Sequence, residues 1–192
     1  MPKRKAHPQR PDAPSHWDDI FDRQFSAESD RACVILAAAL LDSALETLLK
    51  TKLISSSVAE DPLFDGTNAP LATFSSRIEM AHRVGIIDPG FARGLHLVRR
   101  IRNDFAHNVA GCSFTDSAVM SRLTELRRAS CLPARALDIR KNYPDGPRGD
   151  FQMIVGFMQW MLRSVIEDVE PLEGFDTSLE YIESEGEEGD AK

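Results

Sequence analysis

The stretch Leu95–His107 (LHLVRRIRNDFAH) sets the tightest constraint on the fold, because it puts a permanent charge into an apolar stripe. At about 100° per residue, Phe91, Leu95, Val98, Arg102 and Phe105 share one helical face. Arg102 thus takes a place that the stripe reserves for a core residue. A guanidinium stays protonated and is costly to bury alone. Arg102 is therefore expected to meet a carboxylate, line a wet cleft or face a partner's polar groups. His107 lies roughly 140° further round the helix, and Asn103 one turn before it. The three fringe one end of one helix.

A chain of 192 residues suits one domain and can bury a sizeable core. Leu and Ala are plentiful and Val-Ile-Thr alternation is almost absent, so the class read from the sequence is all-α: a single-domain bundle of about five main helices. The net charge of −7 is divided unevenly. Eight acidic residues and one Lys in Glu173–Lys192 account for −7, and four basic residues with Asp12 in Met1–Pro14 for +3, so residues 15–172 carry −3. A mildly acidic body is a poor general DNA binder, since affinity for the phosphate backbone comes largely from Lys and Arg.

Residues 1–15, rich in Pro and basic side chains, read as a disordered arm, residues 16–172 as the helical domain, and residues 173–192 as a disordered acidic tail. Cys33, Cys112 and Cys131 show no C-x-x-C spacing and read as reduced thiols of a cytoplasmic protein. The sequence offers no signal peptide and is read as having no stretch long and apolar enough to span a bilayer.

Within the domain, His16–Phe25 predicts a short docked helix through Trp17, Ile20, Phe21 and Phe25. A long helix follows over Ala27–Leu53, with Ser26 as its N-cap and Cys33, Leu36, Leu40, Leu45 and Leu48 inward. Ala37, Ala38 and Ala39 let another helix approach. Glu28, Asp30, Asp42 and Glu46 lie on this helix, and any that faces inward is a candidate partner for Arg102. After the turn-rich Asp61–Pro70, a helix over Leu71–Val84 buries Leu71, Phe74, Ile78 and Ala81 and ends at Gly85. Asp88 and Pro89 start the helix that carries Arg102. Thr115 and Asp116 open another that runs to Ala129. Pro133–Gly149 is a long connection, and Asp150 caps a last, largely apolar helix through Ile166. Ala81, Gly85 and Phe91, followed by Arg93, Arg99 and Arg100, fall at spacings reminiscent of a helix-turn-helix, although an antiparallel hairpin accounts for the same residues.

The spacing Arg102-Asn103-x-x-x-His107 resembles the motif of HEPN domains, all-helical modules many of which are metal-independent ribonucleases that assemble the motif from two protomers. Arg can hold a phosphate bidentately, His can carry a proton near neutral pH, and Asn can orient either. The structural alternative is an ion pair for Arg102 and a helix-ending cation at His107.

A longer ordered series resembles the mannitol operon repressor family. It comprises Glu28–Cys33 (ESDRAC), Leu40–Glu46 (LLDSALE), Pro62–Gly66 (PLFDG), Ala69–Leu71 (APL), Phe74–Ile78 (FSSRI), Val84–Ile87 (VGII), Arg99–His107 (RRIRNDFAH) and Ser113–Asp116 (SFTD). The resemblance implies an all-helical regulator that lowers expression of a sugar-alcohol uptake operon. That family lacks an obvious DNA-binding module, which implies repression through a protein partner. The regulator reading expects a homodimer without catalysis, cofactor or metal, in which Arg102, Asn103 and His107 hold a helix junction or dimer seam. The alternative is a ribonuclease in which the same three residues, duplicated across a dimer axis, cleave RNA. The regulator reading also expects Arg102 to be buried on a carboxylate of the Ala27–Leu53 helix, so that Arg102→Ala costs about 3 to 5 kcal/mol.

Overall fold

The computed structural model describes residues 28–108, 111–130 and 140–175. The basic arm, the His16–Phe25 segment, Ser26, Cys131 and the acidic tail from residue 176 lie outside them. Five helices form the described part: α1 Asp30–Lys52, α2 Phe74–Arg83, α3 Pro89–His107, α4 Ser117–Ala129 and α5 Pro147–Asp168. No strand occurs among the described residues.

α1 is the hub, packing against α5, α3 and α2, while α3 also packs on α4 and α2. Three neighbours require a wide buried face. Cys33, Val34, Ala37, Ala38, Leu41, Ala44, Leu45, Leu48 and Leu49 supply it, whereas Leu36 and Leu40 are only half-buried and Ala39 is exposed. The inward stripe is thus rotated from the Leu36–Leu40 row expected from the sequence. A second correction concerns its length and polarity. An 18-residue window of α1 has a mean hydropathy of 1.9, so the helix is long and apolar enough to cross a membrane, contrary to the sequence expectation. Half of that window is buried inside the bundle, so the three-sided packing already accounts for the apolar run.

Local chemistry sets the helix boundaries. Ser29 caps α1 by accepting from the Ala32 N–H at 3.2 Å. α2 begins at Phe74 rather than Leu71, because Thr73 and Ser76 form a capping box: the Ser76 N–H donates to Thr73 Oγ1 at 3.1 Å and the Thr73 N–H to Ser76 Oγ at 3.3 Å. Leu71 is still buried, but from the loop. Gly85 follows the end of α2 at φ 76°, a left-handed conformation that suits glycine. Asp88 caps α3 through the Phe91 N–H at 3.0 Å, with Pro89 in the first turn. Asp116 precedes α4 but does not cap it with its side chain. Its carboxylate instead turns back to the Ser113 N–H at 3.2 Å, and that bond holds the carboxyl below its ordinary range.

The start of α5 differs from expectation as well. Pro147 and Gly146 begin it, and Asp150 lies inside the first turn, where it accepts from Arg140 Nε at 2.8 Å. Proline at the first helical position is a start signal in its own right, and an acid in the first turn suits the helix dipole. The described part of the Pro133–Gly149 connection is folded onto the helix: a Cβ at Gly149 would stand 1.7 Å from the Pro144 carbonyl oxygen. Only glycine allows that approach.

α1 and α5 run parallel. Asp30 pairs with Arg148 at 3.0 Å near their beginnings, and at their ends the Leu172 N–H donates to the Lys52 carbonyl at 2.8 Å. Cys33, between them, is fully buried, and burial pushes its thiol up. Phe105, Phe114 and Phe151 chain together with ring centroids 5.3 Å apart, joining α3, the following turn and α5. Such contacts add about 0.5 to 1.5 kcal/mol each beyond area burial.

One ion network fastens α2 to α1. Arg77 is 9% exposed, and its two terminal nitrogens reach Asp42 and Glu46, each at 2.7 Å. Each acid keeps just over a quarter of its side chain in solvent, so removing the cation should cost somewhat less than breaking a fully buried pair. Arg77→Ala should lower the unfolding free energy by about 2 to 3 kcal/mol in urea titration; an unchanged midpoint would show that the network contributes nothing net.

Candidate functional site

The last two turns of α3 carry the sequence motif, and the structure changes its reading. Ile101 is fully buried and takes the core position between Val98 and Phe105. Both Ile101 and Arg102 fit the helical spacing from Val98, three and four residues on, and the core takes the apolar one. Arg102 stands next to it, half-buried, and among the described residues it makes no hydrogen bond or ion pair. The expected carboxylate for Arg102 is therefore not found. Asn103 is half-buried and His107, the last residue of α3, is exposed. Between them Asp104 binds Arg122 of α4 at 2.5 Å.

Of the four acids singled out as partners, Asp42, Glu46 and Asp30 meet other arginines with their carboxylates, and Glu28 meets one through its backbone carbonyl. Asp42 and Glu46 hold Arg77. Asp30 holds Arg148, whose other terminal nitrogen donates to the Glu28 carbonyl at 2.6 Å. A signal for Arg77 was present in the sequence: it stands between Phe74 and Ile78 on the buried face of a short helix. The cost of burying an unpaired guanidinium bears more heavily on Arg77, 9% exposed, than on half-buried Arg102.

Arg31 was also missed. It is exposed on α1, and its Nη2 donates to the carbonyl of Asn108 at 2.6 Å. Asn108 is the C-cap of α3, so a cation from α1 meets the negative end of that helix. The beginning of α1 and the end of α3 thus meet in a polar face that carries Arg31 and His107, with Arg102 half-buried a little earlier on α3. Such a face can accept carboxylates or phosphates. It offers one proton carrier, His107.

A second feature is a cleft of about 650 Å3 between α2 and α3, edged by Glu125 of α4. Its α3 wall is built at helical spacing by Pro89, Ala92, Arg93, His96, Arg99 and Arg100. His96 Nε2 lies 3.0 Å from Glu79, and Arg93 Nε donates to Glu125 at 2.9 Å. No three His, Cys, Asp or Glu side chains converge as a metal would need among the described residues.

No family model and no curated protein matches the sequence. Two solved structures share the architecture. A chain of the X-ray structure of the MtlR–HPr complex from Escherichia coli superposes with a TM-score of 0.57 at 19% identity, over 77% of this chain and 99% of that one. The crystal structure of a possible transcriptional regulator YggD from Shigella flexneri 2a str. 2457T superposes with a TM-score of 0.55 at 12% identity, over 79% of this chain and 96% of that one. The fold is therefore an all-helical, MtlR-like bundle.

With no carboxylate bound to it and the core position filled by Ile101, Arg102 contributes little to folding. Arg102→Ala should change the unfolding free energy by no more than about 0.5 kcal/mol, as for other surface substitutions. A loss near that of the Arg77 variant in the same urea titration would contradict this placement.

Proposed function

We propose that this chain is a transcriptional regulator of the mannitol operon repressor type that works by holding a protein partner rather than by reading DNA. The observation that carries the reading is the likeness in fold to almost the whole of a chain solved in the MtlR–HPr complex. The charge of −3 over residues 15–172 agrees with it, because a general DNA binder needs a cationic surface. The polar face at the end of α3, with Arg31, Arg102 and His107, is the surface we assign to the partner. A homodimer would present that face twice.

A second reading, a metal-independent ribonuclease, is favoured by one observation: Arg102 and His107 both reach solvent at the same helix end without a carboxylate on Arg102. A phosphate clamp and a proton carrier must be free in that way.

The test is calorimetry of the full-length protein with HPr from the same organism. A saturable complex is expected, weakened by about tenfold or more in Arg102→Glu, since reversing a charge within an interface opposes the partner's complementary potential. Absence of a complex, together with an operator footprint by protein lacking Met1–Pro14, would overturn the proposal. Cleavage of single-stranded RNA in chelator, lost in both His107→Ala and Arg102→Lys, would transfer the function to the ribonuclease reading.

A further inference from the structure

The α2–α3 cleft holds charges that the bundle does not use. Two of its side chains are answered by protein acids: Arg93 by Glu125 and His96 by Glu79. Arg99 and Arg100 line the same space and, among the described residues, make no hydrogen bond or ion pair. The Nε of Arg99 is moreover buried with no acceptor, and a buried donor left unmet is costly. Arg77 shares that orphaned Nε, but both of its terminal nitrogens are bound to carboxylates. Arg99 has no such compensation. Two guanidiniums in one concavity repel each other until an anion enters.

We propose that this cleft binds a small dianion of the phosphate monoester class, held between Arg99 and Arg100. The charge matches, since a phosphate monoester carries nearly two negative charges at neutral pH and accepts guanidinium forks bidentately. A single carboxylate would leave one arginine unanswered. The size matches as well, because about 650 Å3 is the range of small-molecule sites. An extended acidic segment fits less well: Glu79 and Glu125 both line the cleft and would repel a run of carboxylates. The cleft lining does not include Arg31, Arg102 or His107, so the proposal does not rest on the function proposed above.

The experiment is titration of the full-length chain with glycerol 3-phosphate, followed by calorimetry and by amide chemical shifts, with glycerol as the uncharged control. Saturable binding of glycerol 3-phosphate and none of glycerol is expected. Arg99→Gln and Arg100→Gln, each verified as folded by circular dichroism, should weaken binding by about tenfold or more. Lys141→Gln, at an exposed cation outside the cleft, should leave it unchanged. Because Arg100 is exposed, its variant keeps the test open if Arg99→Gln fails to fold. No saturable binding by the wild type, equal weakening in the Lys141 variant, or Arg99- and Arg100-dependent binding of a DNA duplex in preference to glycerol 3-phosphate would each overturn the proposal.

Discussion

The fork that Arg77 extends onto Asp42 and Glu46 is the interaction on which the α2–α3 cleft depends. α2 is a helix of ten residues, too short to be stable alone, and its apolar contribution to the core is small: Phe74, Ile78 and Ala81 are buried and Met80 packs beside them half-buried. The two charge-assisted bonds at 2.7 Å fix its position on α1. Fixing α2 also fixes one wall of the cleft, since Ser75, Glu79 and His82 belong to it. The opposite wall is α3, held by its own packing on α1 and α4. Charge therefore acts at two levels here: one arginine is spent on architecture, and others on the same pair of helices stay available.

α1 makes that division possible. Its buried residues alternate small and large, with Ala37, Ala38 and Ala44 among Leu41, Leu45, Leu48 and Leu49, so three helices can approach one axis closely. The acids Asp42 and Glu46 flank this apolar face and remain partly wet. At its beginning the helix does different work: Asp30 receives Arg148 from α5, and Arg31 reaches the carbonyl end of α3. The polar face assigned to a partner is thus built where the beginnings of α1 and α5 and the end of α3 are tied together by Arg148 and Arg31.

Most of the fold was legible in the sequence because its punctuation is strong. Asp88 with Pro89, and Gly85 after α2, mark boundaries that the structure keeps. The errors have specific causes. Choosing Arg102 over Ile101 came from following one row of a 3.6-residue period, in which positions three and four on from Val98 are equally good. Ser26 and Asp150 suit caps as well as Ser29 and the Gly146–Pro147 start do, and Leu71 continues the apolar row of α2 past the Thr73–Ser76 box that begins it. The pairing of each acid with its arginine was not legible, since Asp42 and Arg77 are 35 residues apart and only packing joins them. The cleft was half legible: Arg93, Arg99 and Arg100 were noticed as a basic row, but not the α2 wall that makes the row a concavity.

The central claim, that one buried arginine fastens α2 and thereby shapes the cleft, is tested most directly by native-state hydrogen exchange on Arg77→Met beside the wild type. Met keeps most of the side-chain length and removes the charge. The account predicts that protection falls across Phe74–Arg83 while the central turns of α1 and α5 keep theirs, because local opening follows the weakest anchored element. Unchanged protection in α2, or a uniform loss across all helices, would contradict it.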